Sequence, residues 1–225
     1  GFYEHDRAEG WSAFQSFKSG LNRDLRDPTA RMVDMDGDGH ADLLVTEADR
    51  MVWYPSLGED GFGPEIALPM PLDDERGPRL VFTDSTRSVY LADMSGDGLT
   101  DLVVVRDSSV EYYPNLGRRF GSKVTMDNAP HLDAPERFDA GRLRLADIDG
   151  SGTTDILYLH AEGVRIAFNR SGDGWSDVST VDPFPIDDVA AVQVADLMGS
   201  GTACLVWSSS LPGDASSPMR YLPLM

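Results

Sequence analysis

The 225-residue chain has a single cysteine, Cys204, so it can form no intramolecular disulfide and can build no Cys-x-x-Cys metal or redox site. It has no run of about 18 apolar residues to cross a bilayer as a helix. Its opening, GFYEHDRAEGW, has neither the basic end nor the apolar stretch of a secretory signal. Positive charge is also scarce: Lys+Arg 19 against Asp+Glu 38 leaves a net charge of −19. Such a chain repels phosphate backbones and anionic head groups, and no basic patch with interleaved aromatics offsets that, so neither nucleic acid nor direct membrane insertion is expected. Catalytic signatures are missing as well: there is no G-x-S-x-G, no H-E-x-x-H and no G-x-x-x-x-G-K. His5, His40, His131 and His160 lie in four different segments and are expected at the surface or in turns. The expectation is a protein that is not an enzyme. Long helical patterns are lacking too; the best stretch, 132–142, is interrupted by Pro135 and Gly141.

What the chain does contain is a repeat. VDMDGDGHADLLV at 33–45, ADMSGDGLTDLVV at 92–104, ADIDGSGTTDILY at 146–158 and ADLMGSGTACLVW at 195–207 are versions of one phrase, at a period of roughly 50–60 residues that suits propeller blades. A second phrase lies between them: Tyr54-Pro-Ser-Leu-Gly58 with Phe62-Gly63, Tyr113-Pro-Asn-Leu-Gly117 with Phe120-Gly121, and a looser Phe168 to Gly172 with Trp175-Ser176. The segment from Tyr3 to Trp11 matches it too. Apolar, β-branched runs flank each Asp/Gly loop. Each repeat therefore reads as strand, Asp/Gly loop, strand, tight turn, strand, Tyr/Gly turn and a weaker outer strand.

This predicts an all-β fold, a β-propeller of four-stranded antiparallel blades with about four blades present. The repeat units run approximately 1–30 (partial), 31–89, 90–143, 144–191 and 192–225 (partial), in one architectural unit covering 1–225. Pro-rich stretches at 68–78 and 182–186 read as connectors between blades. The chain starts without Met and stops at MRYLPLM, so it reads as an excerpt of a longer polypeptide, and the N-terminal hairpin either completes the last blade or sits in a ring with further blades.

In D-x-D-G-D-G-x-x-D the carboxylates fall at positions one, three, five and nine, and the glycines let the chain curl without Cβ clashes. This is an all-oxygen cage of the kind calcium prefers. The first loop offers Asp34, Asp36, Asp38 and Asp42 with the His40 carbonyl; the second Asp93, Ser95, Asp97 and Asp101 with the Leu99 carbonyl; the third Asp147, Asp149, Ser151 and Asp155 with the Thr153 carbonyl. Up to three calcium ions are expected. The fourth loop keeps Asp196 but has Met198, Ser200 and Cys204 at the other side-chain positions, and is predicted to bind none. The competing reading is that Asp and Gly here serve turn geometry and Asx hydrogen bonds alone. Trp53, Tyr54, Tyr112, Tyr113 and Phe168 recur at one blade position and are expected to pack. Asn169-Arg-Ser171 fits a glycosylation acceptor by chance, inside a turn phrase where Asn is expected for backbone reasons.

The Asp loop followed by the Tyr-x-Asn-x-Gly turn resembles the FG-GAP/VCBS class of propeller repeats, shared by integrin α chains and bacterial surface proteins. Longer stretches, among them GPRLVF at 77–82, YLADMSGDGLTDLV at 90–103, YYPNLGRRFGSKVTMDNAP at 112–130 and RLADIDGSGTTDILYL at 144–159, resemble the propeller of Tc insecticidal toxin B subunits and SpvB-like proteins. That resemblance implies a secreted bacterial toxin-complex component linked to virulence. Its propeller would close a shell made with a shell-forming subunit, dock on a pore-forming subunit and gate toxin release. The alternative is a calcium-stabilised adhesion or carbohydrate-binding propeller, with a glycan as partner.

Overall fold

In the computed structural model, residues 1–8, 10–80, 82, 88–106, 108–182, 188–209 and 212–224 are described. The second Pro-rich connector, 182–186, lies outside them apart from Asp182, and so does part of the matched stretch 77–82. The chain divides into two compact units, Gly1–Ser85 with Asn115–Ser122, and Thr86–Pro114 with Lys123–Met225.

The first unit opens with a two-stranded ribbon, β1 (His5–Asp6) and β2 (Gly10–Trp11). A four-stranded antiparallel sheet follows, made of β3 (Ala30–Val33), β4 (Asp42–Thr46), β5 (Arg50–Tyr54) and β6 (Ile66–Pro69), adjacent in space as in sequence. The second unit holds three sheets of the same pattern. One is β7 (Ser88–Ala92), β8 (Asp101–Arg106), β9 (Ser109–Tyr113) and β10 (Val124–Thr125). The next is β11 (Leu143–Ala146), β12 (Asp155–His160), β13 (Gly163–Ala167) and β14 (Ser179–Val181). The last has three strands among the described residues, β15 (Gln193–Ala195), β16 (Cys204–Ser208) and β17 (Met219–Pro223). These are meandering blades of β-propeller type, as the repeat predicts.

Burial explains the sequence of each strand. The second strand of a blade, DLLVT in β4, DLVVVR in β8 and DILYLH in β12, is buried on both faces, and its near-continuous apolar run reflects that. Outer strands are short and half exposed. In the second unit two apolar clusters fill the spaces between successive blades: Met94, Val103, Tyr112, Ile156, Tyr158 and Trp175 belong to one, Ile148, Leu157, Ile166, Val192, Leu205 and Trp207 to the other. In the first unit Ala30, Leu43, Val45 and Phe62 pack with Phe17 and Tyr54. The recurring aromatics pack as expected, with Trp53, Tyr112 and Tyr113 buried. So is Cys204. In the 132–142 stretch the only helical segment among the described residues is a 3-10 turn at Ala140–Arg142.

One histidine departs from expectation. The His160 side chain is only 9% exposed and lies 3.7 Å from Asp133, in a pocket where the Tyr158 hydroxyl also reaches Asp133. Its place at the end of β12, under the 132–142 connector, buries it.

Candidate metal centre

Each Asp/Gly loop joins the first strand of a blade to the second. The closing strand pairs are Val33↔Asp42, Ala92↔Asp101, Ala146↔Asp155 and Ala195↔Cys204, so position nine is always the first residue of the buried strand. The two glycines of every loop have positive φ: 77° and 86° in the first, 79° and 85° in the second, 75° and 87° in the third, 67° and 83° in the fourth. A side chain with Cβ would strain the backbone at all eight positions, which is why G-x-G is kept even where the carboxylates are not.

Position one folds the loop. Asp34 accepts backbone N–H bonds from Gly37 (2.8 Å) and Gly39 (2.9 Å), Asp93 from Gly96 and Gly98, Asp147 from Gly150 and Gly152, and Asp196 from Ser200 and Gly201. Position nine ties the loop to the rest of its blade. Asp42 accepts from Met35 N and, at 2.6 Å, from Ser56 N; Asp155 accepts from Ile148 N and Asn169 N; Asp101 accepts from Met94 N. Ser56 and Asn169 belong to the Tyr/Gly turns, so the two recurring phrases are hydrogen-bonded to one another. In the fourth repeat the sulfur of Cys204 replaces that carboxylate, and Leu197 N turns to the Ala195 carbonyl instead.

Three carboxylates meet in two of the loops. Asp34, Asp36 and Asp42, and separately Asp147, Asp149 and Asp155, bring oxygens within 4.8 Å of one another. Asp42 and Asp155 are buried, while Asp36 and Asp149 are exposed. Burial, with Asp149 and Asp147 adding repulsion, pushes the Asp155 carboxyl up to about 6. Burial likewise raises Asp42, with Asp36 contributing. Crowded acids pushed toward protonation, with an all-oxygen donor set, fit a hard divalent cation. In the second loop Ser95 stands at position three, and among the described residues no group of three carboxylates forms there. Position five does not join the first triad: Asp38 accepts from His40 N and lies 3.3 Å from its ring, and in the second loop Asp97 likewise accepts from Leu99 N. Ser151 instead hydrogen-bonds the Thr153 hydroxyl at 3.0 Å.

The asparagine of the Tyr/Gly turn, read from the sequence only as a turn residue, also holds the loops together. Asn115 Nδ2 donates to the Met35 carbonyl, at position two of the first Asp loop, and Asn169 Nδ2 donates to Met94 O, its counterpart in the second, and also to Thr154 O. Their Oδ1 atoms accept from Gly117 N and Gly172 N. Each asparagine thereby clamps the turn of one repeat to the Asp loop of the repeat before it. With Asn169 7% exposed, the Asn-Arg-Ser sequence is no accessible acceptor for a glycan. The signal was the recurrence of Asn shortly after the aromatic in two turns, two residues after Tyr113 and one after Phe168.

These blades and loops define a β-propeller-type repeat protein. The model of the FG-GAP-like repeat matches residues 34–104 and 93–157, more than half of the sequence, and the chain belongs to that family. No curated protein matches it in sequence. Among solved structures, the Photorhabdus luminescens Tc holotoxin pore is similar at 30% identity and TM-score 0.67, over 88% of this chain and 9% of that one. A lectin of Agrocybe aegerita, described as specifically recognising non-reducing terminal N-acetylglucosamine, is similar at 25% identity and TM-score 0.59, over 79% of this chain and 45% of the lectin. The TcdB2-TccC3 complex shares the fold, with 20% identity, TM-score 0.53 and coverage of 87% and 14%. The chain thus spans less than half of the length of each of these proteins.

Proposed function

We propose that the chain is a non-enzymatic interaction module, the propeller part of an extracellular toxin complex of Tc type. It would dock on a pore-forming subunit beside a shell-forming one and take part in gating toxin release. The observation that carries this reading is the 30% identity to the Tc holotoxin pore over 88% of the chain. The reading matches a surface too acidic for nucleic acid and a described structure in which no helix is long and apolar enough to cross a membrane. Pull-down of a Tc pore-forming subunit by this chain tests it; no association at micromolar concentrations of both proteins would refute it.

Calcium is the second component of the proposal. Asp34, Asp36 and Asp42 would hold one ion, Asp147, Asp149 and Asp155 another, with Asp93, Ser95, Asp97 and Asp101 a poorer third site. A bound ion supplies positive charge that offsets the mutual repulsion of the carboxylates. Extracellular calcium modules bind at about 10⁻⁴ to 10⁻³ M, and ligand at 100-fold over its dissociation constant stabilises by about 2.7 kcal/mol per site. A thermal melt of chelator-treated protein should therefore rise with calcium and not with magnesium, and the rise should shrink in Asp36→Ala and Asp149→Ala. Equal melts with and without millimolar calcium would leave the aspartates as turn-formers.

The likeness to the Agrocybe lectin favours a second reading, a carbohydrate-binding propeller. Exposed Trp11 on the N-terminal ribbon, with exposed Tyr3 and Phe14 flanking it in sequence, would supply faces on which sugar rings stack. A glycan array without hits would dismiss it.

A further inference from the structure

The interaction-module reading leaves open where a partner binds and what chemistry it presents, and the first unit contains a groove that answers both. Along β5 and β6 the pairs Met51↔Leu68 and Trp53↔Ile66 place Met51, Leu68 and Ile66 on one face of the blade. That face, with Phe120 from the Tyr/Gly turn at 115–122, floors a cavity of about 480 Å³. Arg76, Arg118 and Arg119 stand at its rim, and no Asp or Glu lines it among the described residues. In a chain with 38 acidic and 19 basic side chains, an apolar hollow rimmed only by arginine is a local reversal of sign. Arg118 and Arg119 are exposed and make no ion pair or side-chain hydrogen bond among the described residues, and Arg76 lies 4.0 Å from Asp73. Among the described residues, the charge of Arg118 and Arg119 is not spent on holding the fold.

β6 forms the edge of its sheet, with β5 on one side and no strand on the other among the described residues. An extended segment laid along such an edge gains main-chain hydrogen bonds and sends alternate side chains into a neighbouring hollow.

We infer that this groove docks an extended acidic segment of a partner protein, its apolar side chains on Met51, Ile66, Leu68 and Phe120 and its carboxylates on Arg76, Arg118 and Arg119. Anionic segments are repelled by most of this surface, so the groove also fixes where they bind. The inference rests on the interaction-module reading, and it adds the site and the partner's chemistry.

The test is fluorescence anisotropy of the intact chain with a labelled ten-residue peptide alternating Leu and Glu. Its controls are the same peptide with Lys for Glu, and decanoate as a small amphipathic carboxylate. The acidic peptide should bind, weaken in high salt, and bind roughly tenfold less tightly to the Arg118→Glu/Arg119→Glu double variant and to Ile66→Glu. The arginine variants should melt as the parent does, because neither side chain has a partner among the described residues to lose. Equal binding of the Lys peptide, unchanged affinity in the double variant, or binding of decanoate without the peptide would overturn the proposal. The same double variant in the pore-subunit pull-down separates the two claims. If parent and variant both capture the subunit, the module reading stands and the groove is refuted; if neither does while the peptide binds as expected, the groove stands and the pore-subunit reading falls.

Discussion

The third and fourth Asp loops have the same backbone and different chemistry. Both carry glycines at positive φ, and in both an aspartate at position one accepts N–H bonds from positions five and six. Yet the third loop has carboxylates at positions three and nine where the fourth has Met198 and Cys204. The turn therefore needs only its first aspartate and its two glycines. The remaining carboxylates of the third loop are surplus to the turn, and in Asp155 they include a buried acid crowded by two others. The two loops also respond to acid in opposite senses. Backbone N–H bonds from Gly201 and Ser200 hold Asp196 below its ordinary value, whereas burial pushes Asp155 up to about 6.

Deleting Asp155 in calcium-saturated protein should cost the most. Asp155→Ala leaves the amides of Ile148 and Asn169 without their acceptor and removes a ligand of the proposed ion; two bared buried donors, at about 1–3 kcal/mol each, imply a loss of roughly 4 kcal/mol in urea unfolding. A loss below about 1 kcal/mol would erase the distinction between the two loops.

Asp155→Asn sharpens the comparison through pH. An unfolded aspartate titrates near 4, so between about pH 4 and pH 6 the folded chain binds more protons at this group than the unfolded one, and stability falls as pH rises. Chelated parent protein should be more stable at pH 5 than at pH 7 relative to Asp155→Asn, with a full span of about 3 kcal/mol across the titration. Saturating calcium should flatten that difference. A flat difference in chelated protein would show that Asp155 titrates normally.

Asn169→Ala probes the clamp between repeats. It removes hydrogen bonds to Met94 O, Thr154 O and Gly172 N, and a loss of roughly 2–3 kcal/mol is expected, independent of calcium. Calcium dependence of this loss would tie the clamp to the ion.

Asp196→Ala should have the smallest effect, because the amides it caps are at the surface and can turn to water. Its stabilisation is present above the ordinary carboxylate range and disappears as pH falls through its lowered folded value. The variant should therefore differ from the parent at pH 7 and converge on it in acid, as read by thermal melts.

Much of this was readable from residues. The repeat set the blade pattern, the apolar runs after each loop marked the buried strands, and Met198 and Cys204 set the fourth loop apart. Which carboxylates converge was not readable, because D-x-D-G-D-G-x-x-D treats positions three and five alike. The fold sends Asp36 and Asp149 toward the position-nine aspartate, while Asp38 and Asp97 cap the amides two residues on. The asparagine clamp escaped notice for a related reason. Asn in a turn is ordinary, and its partner, the Met35 or Met94 carbonyl, lies far away along the chain.

By itself the sequence determined the antiparallel blades and the sites of the sharp turns, since these follow from local spacing, β-branched runs and glycines that alone tolerate positive φ. Only the tertiary structure decided which acids are buried beside one another, which asparagines lock one repeat to the one before, and that three arginines share a hollow with Phe120. Those properties depend on residues from separate strands and turns meeting in space, where burial and repulsion act on neighbours that the chain order does not reveal.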